Sequence, residues 1–265
     1  MSTLASSLVD SRIMLRRNLK HQLRYPSMTV MLVGMPIVLL LLFVYVLGGQ
    51  LGAGLGPRDG RSAYLDYVVP GLLLITVASA VQGTSIMVAM DMTGGIIDRF
   101  RTMAIARASV LTGHVLGTFL QTLAGMAVLV GVALGIGFRS TTGPLQWLAA
   151  TGILALFAFA LIWLAVALGL AAKSVETASN TPMVLLLLLF LSSAFVSTAT
   201  MPAGLRQFAR YQPFTPAVDA VRSLLAGGPV AGHAVAAVAW SVGIAVPSYL
   251  WAVRLYDRRR AAAPG

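Results

Sequence analysis

The chain has 265 residues, 58% of them hydrophobic and only 10% charged, where a soluble domain carries roughly 25% charged residues. Nineteen Lys and Arg oppose eight Asp and Glu, but the basic residues sit between apolar blocks rather than on a separate polar domain, which argues against a nucleic-acid-binding module. Cysteine is absent, which excludes a disulfide framework and a thiolate metal site.

Only Lys20 and Lys173 among the basic residues are lysines, and with abundant Ala and Gly this points to a GC-rich bacterial source. The polar lead, 1–27, reads as an amphipathic helix lying along the membrane. Arg12, Arg16, Lys20 and Arg24 recur every four residues, and Leu15, Leu19 and Leu23 do the same on a neighbouring face. The same residues also serve as a basic flank that fixes topology, and the two roles are compatible. Pro26 breaks the helix before the first span. The apolar run that follows is too long for a signal-peptide core and is expected to be retained.

Six segments free of Asp, Glu, Lys and Arg are long enough for a hydrocarbon core that takes ~20 residues to cross: 28–47, 68–90, 110–138, 145–172, 180–199 and 231–253. Backbone polar groups in lipid must be satisfied internally, so the predicted fold is all-α, and the alternation of a membrane β-barrel is missing. With both termini cytoplasmic, thirteen Lys and Arg fall inside and six outside (Arg58, Arg61, Arg139, Arg206, Arg210 and Arg222), in accord with the positive-inside rule. The glycine-rich stretch 48–67 is expected to be a flexible external loop, since neither a strand before it nor a Lys-Ser after it suits phosphate binding. No repeat or linker suggests a second domain.

Motifs that carry chemistry are missing. Neither lysine lies in a nucleotide-binding G-x-x-x-x-G-K-[ST] context, so no catalytic or ATP-hydrolysing site is expected. The three histidines, His21, His114 and His233, are far apart and give no metal site. The span interiors hold only mild polar groups, among them Thr76, Ser79 and Gln82 in the second span and Ser193 and Ser197 in the fifth. These suit either hydrogen bonding between helices or a weakly polar path for an amphipathic substrate. A proton- or ion-coupled transporter would instead place a charged group inside a span.

The cytoplasmic segment 91–109 sets Ile96, Ile97, Phe100 and Met103 at helical spacing beside Asp98, Arg99, Arg101 and Arg107. It reads as a short amphipathic helix, either resting on lipid headgroups or docking into a partner's cleft. This segment, with its Gly-Gly-Ile-Ile-Asp-Arg-Phe-Arg-Thr-Met-Ala-Ile-Ala-Arg core, resembles the signature of ABC export permeases of the daunorubicin-resistance (ABC-2) type. So do Tyr64-Leu-Asp-Tyr-Val-Val-Pro-Gly71 and Phe208-Ala-Arg-Tyr-Gln-Pro-Phe-Thr-Pro-Ala-Val-Asp-Ala-Val-Arg222. Gly94, Gly95 and Ala104 depart from the family pattern, which often has Glu and Pro there.

The resemblance implies a permease subunit that pairs with a second permease and binds two separate cytosolic ATPase subunits, which hold the ATP and Mg. It implies a drug, lipid or glycolipid exporter in the bacterial plasma membrane, with ATPase coupling through Asp98, Arg99, Phe100, Arg101 and Arg107. It places the substrate path along the second and fifth spans. It also makes 201–230 a re-entrant outer-leaflet segment of amphipathic helices, with Leu205, Phe208 and Ala209 turned inward.

Overall fold

The computed structural model describes residues 26–53, 60–93 and 107–261. The lead, 1–25, and most of the predicted docking segment, 94–106, lie outside them. Among the described residues all regular structure is helical and no strand occurs.

The first described helix is α1 (Pro26–Leu41). It continues through a π-helical stretch, Leu42–Leu47, into the short α2 (Gly48–Leu51). Then come α3 (Gly60–Thr93), α4 (Arg107–Gly135) and α5 (Pro144–Ala171). Two short helices follow, α6 (Val175–Asn180) and α7 (Met183–Phe190). A turn leads to α8 (Ala203–Tyr211), α9 (Phe214–Ala226) and the last helix, α10 (Ala231–Ala261).

Five stretches among the described residues are long and apolar enough to cross a membrane: Val33–Leu51, Gly60–Met92, Val115–Gly135, Pro144–Ala171 and Ala231–Tyr256. The predicted fifth span, 180–199, is not one continuous helix. The chain turns at Thr181 and Pro182, is helical only through Phe190, and leaves helical geometry again before a 3-10 turn at Thr198–Thr200. Pro182 has no N–H for the helical ladder. Ser192 then accepts from the Ala194 N–H at 3.1 Å and donates to the Leu189 carbonyl, offering the backbone a local alternative to the helix. The expected external loop 48–67 is also helical at both ends, since α3 begins at Gly60, eight residues before the predicted span.

The centre of the bundle is α3 against α5, whose apolar residues are mostly buried, whereas α1 and α10 bury few of theirs and α10 packs along α5 from outside. Small residues allow the close approach. A Cβ on Gly169 of α5 would lie 2.7 Å from the Ser85 carbonyl oxygen of α3, and one on Gly71 would lie 2.7 Å from both Cβ and O of Ala194. Edge-on aromatic pairs fill the wider gaps: Phe157 with Phe214 at 5.3 Å and Trp163 with Tyr249 at 4.9 Å.

Two registers fix how the later segments lie. Gln82 Nε2 donates to the Ser179 carbonyl at 3.3 Å, and Tyr64 Oη donates to the Phe195 carbonyl at 3.2 Å, so the broken stretch 175–196 runs antiparallel to α3. From Tyr64 to Gln82 is about 27 Å of helix at ~1.5 Å per residue. Similarly α9 starts beside Phe157, in the middle of α5. It ends where the Leu225 carbonyl accepts from Thr141 N (3.3 Å) and Ser140 Oγ (2.8 Å) in the loop before α5. Gly227, with φ +78°, closes α9 in the left-handed conformation that glycine tolerates.

Gly71→Val is expected to force the α3–Ala194 contact apart and to destabilise the protein by about 1–3 kcal/mol, as overpacking does. Gly243→Ala, mid-helix and with an added Cβ that meets nothing within 4 Å, should instead raise stability by up to about 1 kcal/mol. Thermal melting of the detergent-solubilised protein compares the two.

Candidate functional site

The richest polar constellation joins three elements at the end of the bundle where α3 begins. It is built from the first turns of α3, the turn after α7 and the middle of α9. Pro70 lies inside α3, where it has no N–H to give and its ring crowds the carbonyls one turn back. On that turn the Tyr67 carbonyl receives both Nε and Nη2 of Arg222, each at 3.2 Å. The guanidinium also lies 3.8 Å over the Tyr67 ring, a cation–π contact. Its Nη1 donates to Asp219 Oδ1 at 2.8 Å, and Nη2 donates again to the Ser193 carbonyl at 2.8 Å. Four of the five N–H groups of a guanidinium are thus engaged. Both side chains are largely covered, Arg222 being 18% and Asp219 23% exposed.

Ser193 is the meeting point. Its N–H donates to Thr215 Oγ1 at 3.2 Å and its hydroxyl to Asp219 Oδ1 at 2.7 Å. Its carbonyl accepts from Tyr67 Oη at 2.9 Å as well as from Arg222. A serine outside the helical ladder has every polar atom met by a side chain from α3 or α9. Thr215 is held in turn by Gln212 Nε2 at 3.2 Å, and Gln212 Oε1 accepts from the Phe214 N–H at 3.0 Å. Beside the cluster, Phe195 stacks between Phe43 at 5.0 Å and Phe190 at 5.1 Å, which ties the turn to the π-helical stretch after α1.

The structure does not gather the five predicted pathway residues on one wall. Thr76 is fully buried, with its hydroxyl donating back to the Leu72 carbonyl at 3.3 Å. Ser79 and Gln82 are half-buried, and Gln82 bonds the broken helix at Ser179. Ser193 is enclosed as described, and Ser197 is half-buried at the start of the 3-10 turn, accepting from the Ala199 N–H at 3.3 Å. Of the coupling residues, Asp98, Arg99, Phe100 and Arg101 lie outside the described residues, and Arg107 is the first residue of α4. On α8 only Ala209 is turned inward; Leu205 and Phe208 are 38% and 49% exposed, because the helix rests on its neighbours along a narrow edge. Among the described residues no group of His and carboxylates could hold a metal.

Residues 10–226 match the family model for the ABC-2 type transporter. The chain belongs to that family. Over 221 residues this ABC-2 permease is 32% identical to the daunorubicin resistance ABC transporter permease protein DrrB1 of Streptomyces coeruleorubidus, covering 83% of this chain and 73% of that one. Over 217 residues it is 30% identical to the probable doxorubicin resistance ABC transporter permease protein DrrC of Mycobacterium tuberculosis, covering 79% and 76%. The permease is a multi-pass transport subunit whose matched region is membrane domain rather than ATPase, and its counterpart in an ABC transporter is an ABC ATPase subunit, which uses the ATP.

Tyr64 to Gly71 and Phe208 to Arg222 both carry the family resemblance, but nothing in the sequence brings the two segments together. The signal that could have pointed to the cluster is an Asp and an Arg three residues apart in a chain so poor in charge. Arg222→Gln should remove hydrogen bonds from a charged donor that are worth about 1.5–3 kcal/mol, and lower the thermal midpoint accordingly. Combined with Asp219→Asn the loss should be smaller than the sum of the two, because each single change strands the other partner.

Proposed function

We propose that this permease exports a hydrophobic or amphipathic substrate, of the class of drugs, lipids or glycolipids, from a bacterial cell. Two copies, or this chain and a homologous permease, form the membrane path, and two ATPase subunits that bind ATP and Mg drive it from the cytosol. The observation that carries this reading is the likeness to two drug-resistance permeases along most of the chain. The charge-free interiors of the long helices favour it over an ion-coupled transporter.

In this reading the whole chain, 1–265, is one permease domain in the plasma membrane with both termini cytoplasmic and six crossings. The fifth crossing in chain order is the broken stretch 180–199, supported by the antiparallel register of 175–196 along about 27 Å of α3, close to the ~30 Å of a hydrocarbon core. The stretch 201–230 is re-entrant, supported by the path of α9 from mid-α5 back to the loop before it. Ser79, Gln82 and Ser197, half-buried in a single protomer, face the path between permeases, while Thr76 and Ser193 serve packing. Asp98, Arg99, Phe100, Arg101 and Arg107, in the segment 91–109, contact the ATPase.

The cysteine-free chain makes topology simple to read. Single cysteines at Ser62 and Thr141 should react with a membrane-impermeant maleimide on intact cells, and those at Ser109 and Ser174 should not. External labelling at Ser109 would overturn this topology.

The function is tested by reconstituting the permease with its ATPase in lipid vesicles and following ATP-driven movement of a lipophilic dye. Phe100→Ala should insert normally but weaken ATPase co-purification, since loss of a buried aromatic anchor costs about 2 kcal/mol or more at an interface. Full association and transport in that variant would remove Phe100 from the coupling surface.

A further inference from the structure

Resting on the exporter reading and its topology, we propose that Arg206 and Arg210, the basic edge of α8, receive the acidic head of the exported substrate, which is an anionic amphiphile. The helix is held along a narrow line. Ala209 is the one buried residue of Ala203–Tyr211, and all the others are exposed. Helical spacing sorts the exposed surface into two stripes. Arg206 and Arg210 stand one turn apart on one of them, while Leu205, Phe208 and Tyr211 follow at steps of three on the other. The helix contains no Asp or Glu.

Depth makes these charges informative. The chain passes from α8 to α9, whose first residue, Phe214, packs on Phe157 well inside the apolar stretch that begins at Pro144. Gln212 ties the end of α8 to that level, donating to Thr215 Oγ1 and accepting from the Phe214 N–H. A cation at such a depth is costly against acyl chains and faces a water-filled path or a carboxylate partner. Among the described residues neither arginine has such a partner. Asp219 is committed to Arg222 and Ser193, and Asp66 accepts from the Arg139 N–H.

The two guanidinium groups are available to a ligand. Arg206 gives Nε and Nη2 to the Met201 carbonyl, at 3.1 and 2.9 Å, which fixes the group and leaves its Nη1 to bind elsewhere. Arg210 lies 6.0 Å from the Tyr211 ring. Like charges one turn apart repel, and an acidic group placed between them removes that cost. A phosphate or carboxylate offers oxygens that match the guanidinium fork, whereas a cationic head is repelled. The stripe of Leu205, Phe208 and Tyr211 suits the apolar part of the same molecule. Water reaches this depth along the path between permeases, so the molecule that meets the arginines there is the transported one.

The permease–ATPase complex is placed in vesicles with the ATPase outside, so that export carries a probe into the lumen. Two NBD-labelled lipids with the same tail, a phosphatidate and a phosphatidylcholine, are followed by their protection from dithionite after ATP is added. A neutral lipophilic dye is followed beside them. The unmodified complex should export the phosphatidate in preference to the phosphatidylcholine. Arg206→Gln combined with Arg210→Gln should lower that preference about tenfold or more, the weight of a charge-assisted contact. Arg210→Glu should lower it further than Arg210→Gln, and Arg210→Lys should keep most of it.

An unchanged preference in the double variant, in complex that assembles and hydrolyses ATP, would overturn the proposal. So would an equal fall for both lipids that follows the anionic lipid content of the vesicle, since α8 would then be a lipid anchor. Loss of the second permease on purification of the single Gln variants would make this edge a subunit contact instead. If the double variant fails to assemble, the unmodified complex decides: dye exported without preference for the phosphatidate defeats the proposal and leaves the exporter reading standing. No movement of either lipid or of the dye, with no ATP hydrolysis, would sink the exporter reading and the acidic-head site with it.

Discussion

A backbone that leaves the helix in a packed interior must have each of its polar groups met by protein, because a buried polar group left unpaired costs about 1–3 kcal/mol. At Ser193 that requirement selects nearly everything around it. A donor must face its carbonyl, which calls for Tyr67 and Arg222. Acceptors must face its N–H and hydroxyl, which calls for Thr215 and Asp219. A guanidinium brought so far from water needs a carboxylate of its own, and the same Asp219 supplies it. The arrangement joins residues 64–71 to residues 212–222 and sets the position of α9 between α3 and α5.

Hydropathy alone located the long helices, because uninterrupted apolar length is what lipid demands of them. It failed where length and helicity part company. The run 180–199 is free of charge throughout, and nothing in its hydropathy records that Pro182 and Ser192 divert the backbone; the tertiary partners that make the diversion tolerable are supplied by residues far along the chain. The start of α3 was missed for the opposite reason. Tyr64, Asp66 and Tyr67 look like loop residues until their partners are known, when Phe195, the Arg139 N–H and Arg222 turn out to receive or satisfy them. Spacing on α3 grouped Thr76, Ser79 and Gln82, but only packing shows that the first is sealed inside the protomer and the others lie at its edge.

The arginines assigned to the outer side strain a rule that favours basic residues within, and the structure accounts for those it describes. Arg61 lies 5.3 Å over the Tyr45 ring and Arg210 lies 6.0 Å from that of Tyr211. Arg139 donates to the Leu134 and Phe138 carbonyls at 2.9 Å, closing the end of α4, and Arg206 donates through Nε and Nη2 to the Met201 carbonyl before α8. Each is used to finish a helix end or cover a ring, so none serves merely as a topological marker.

The sequence separation between the two halves of the cluster bears on how the chain is made. Tyr67 and Arg222 are 155 residues apart, so α3 is made long before the group that completes its N-terminal end has been synthesised. Until then Ser193 has only Tyr67 from this set, and a chain halted before α9 carries a serine with unanswered polar atoms among apolar neighbours. Closure of this one site therefore reports that the chain has been made through Arg222, and a product that ends before α9 differs from the whole protein at Ser193, whose N–H and hydroxyl then lack Thr215 and Asp219.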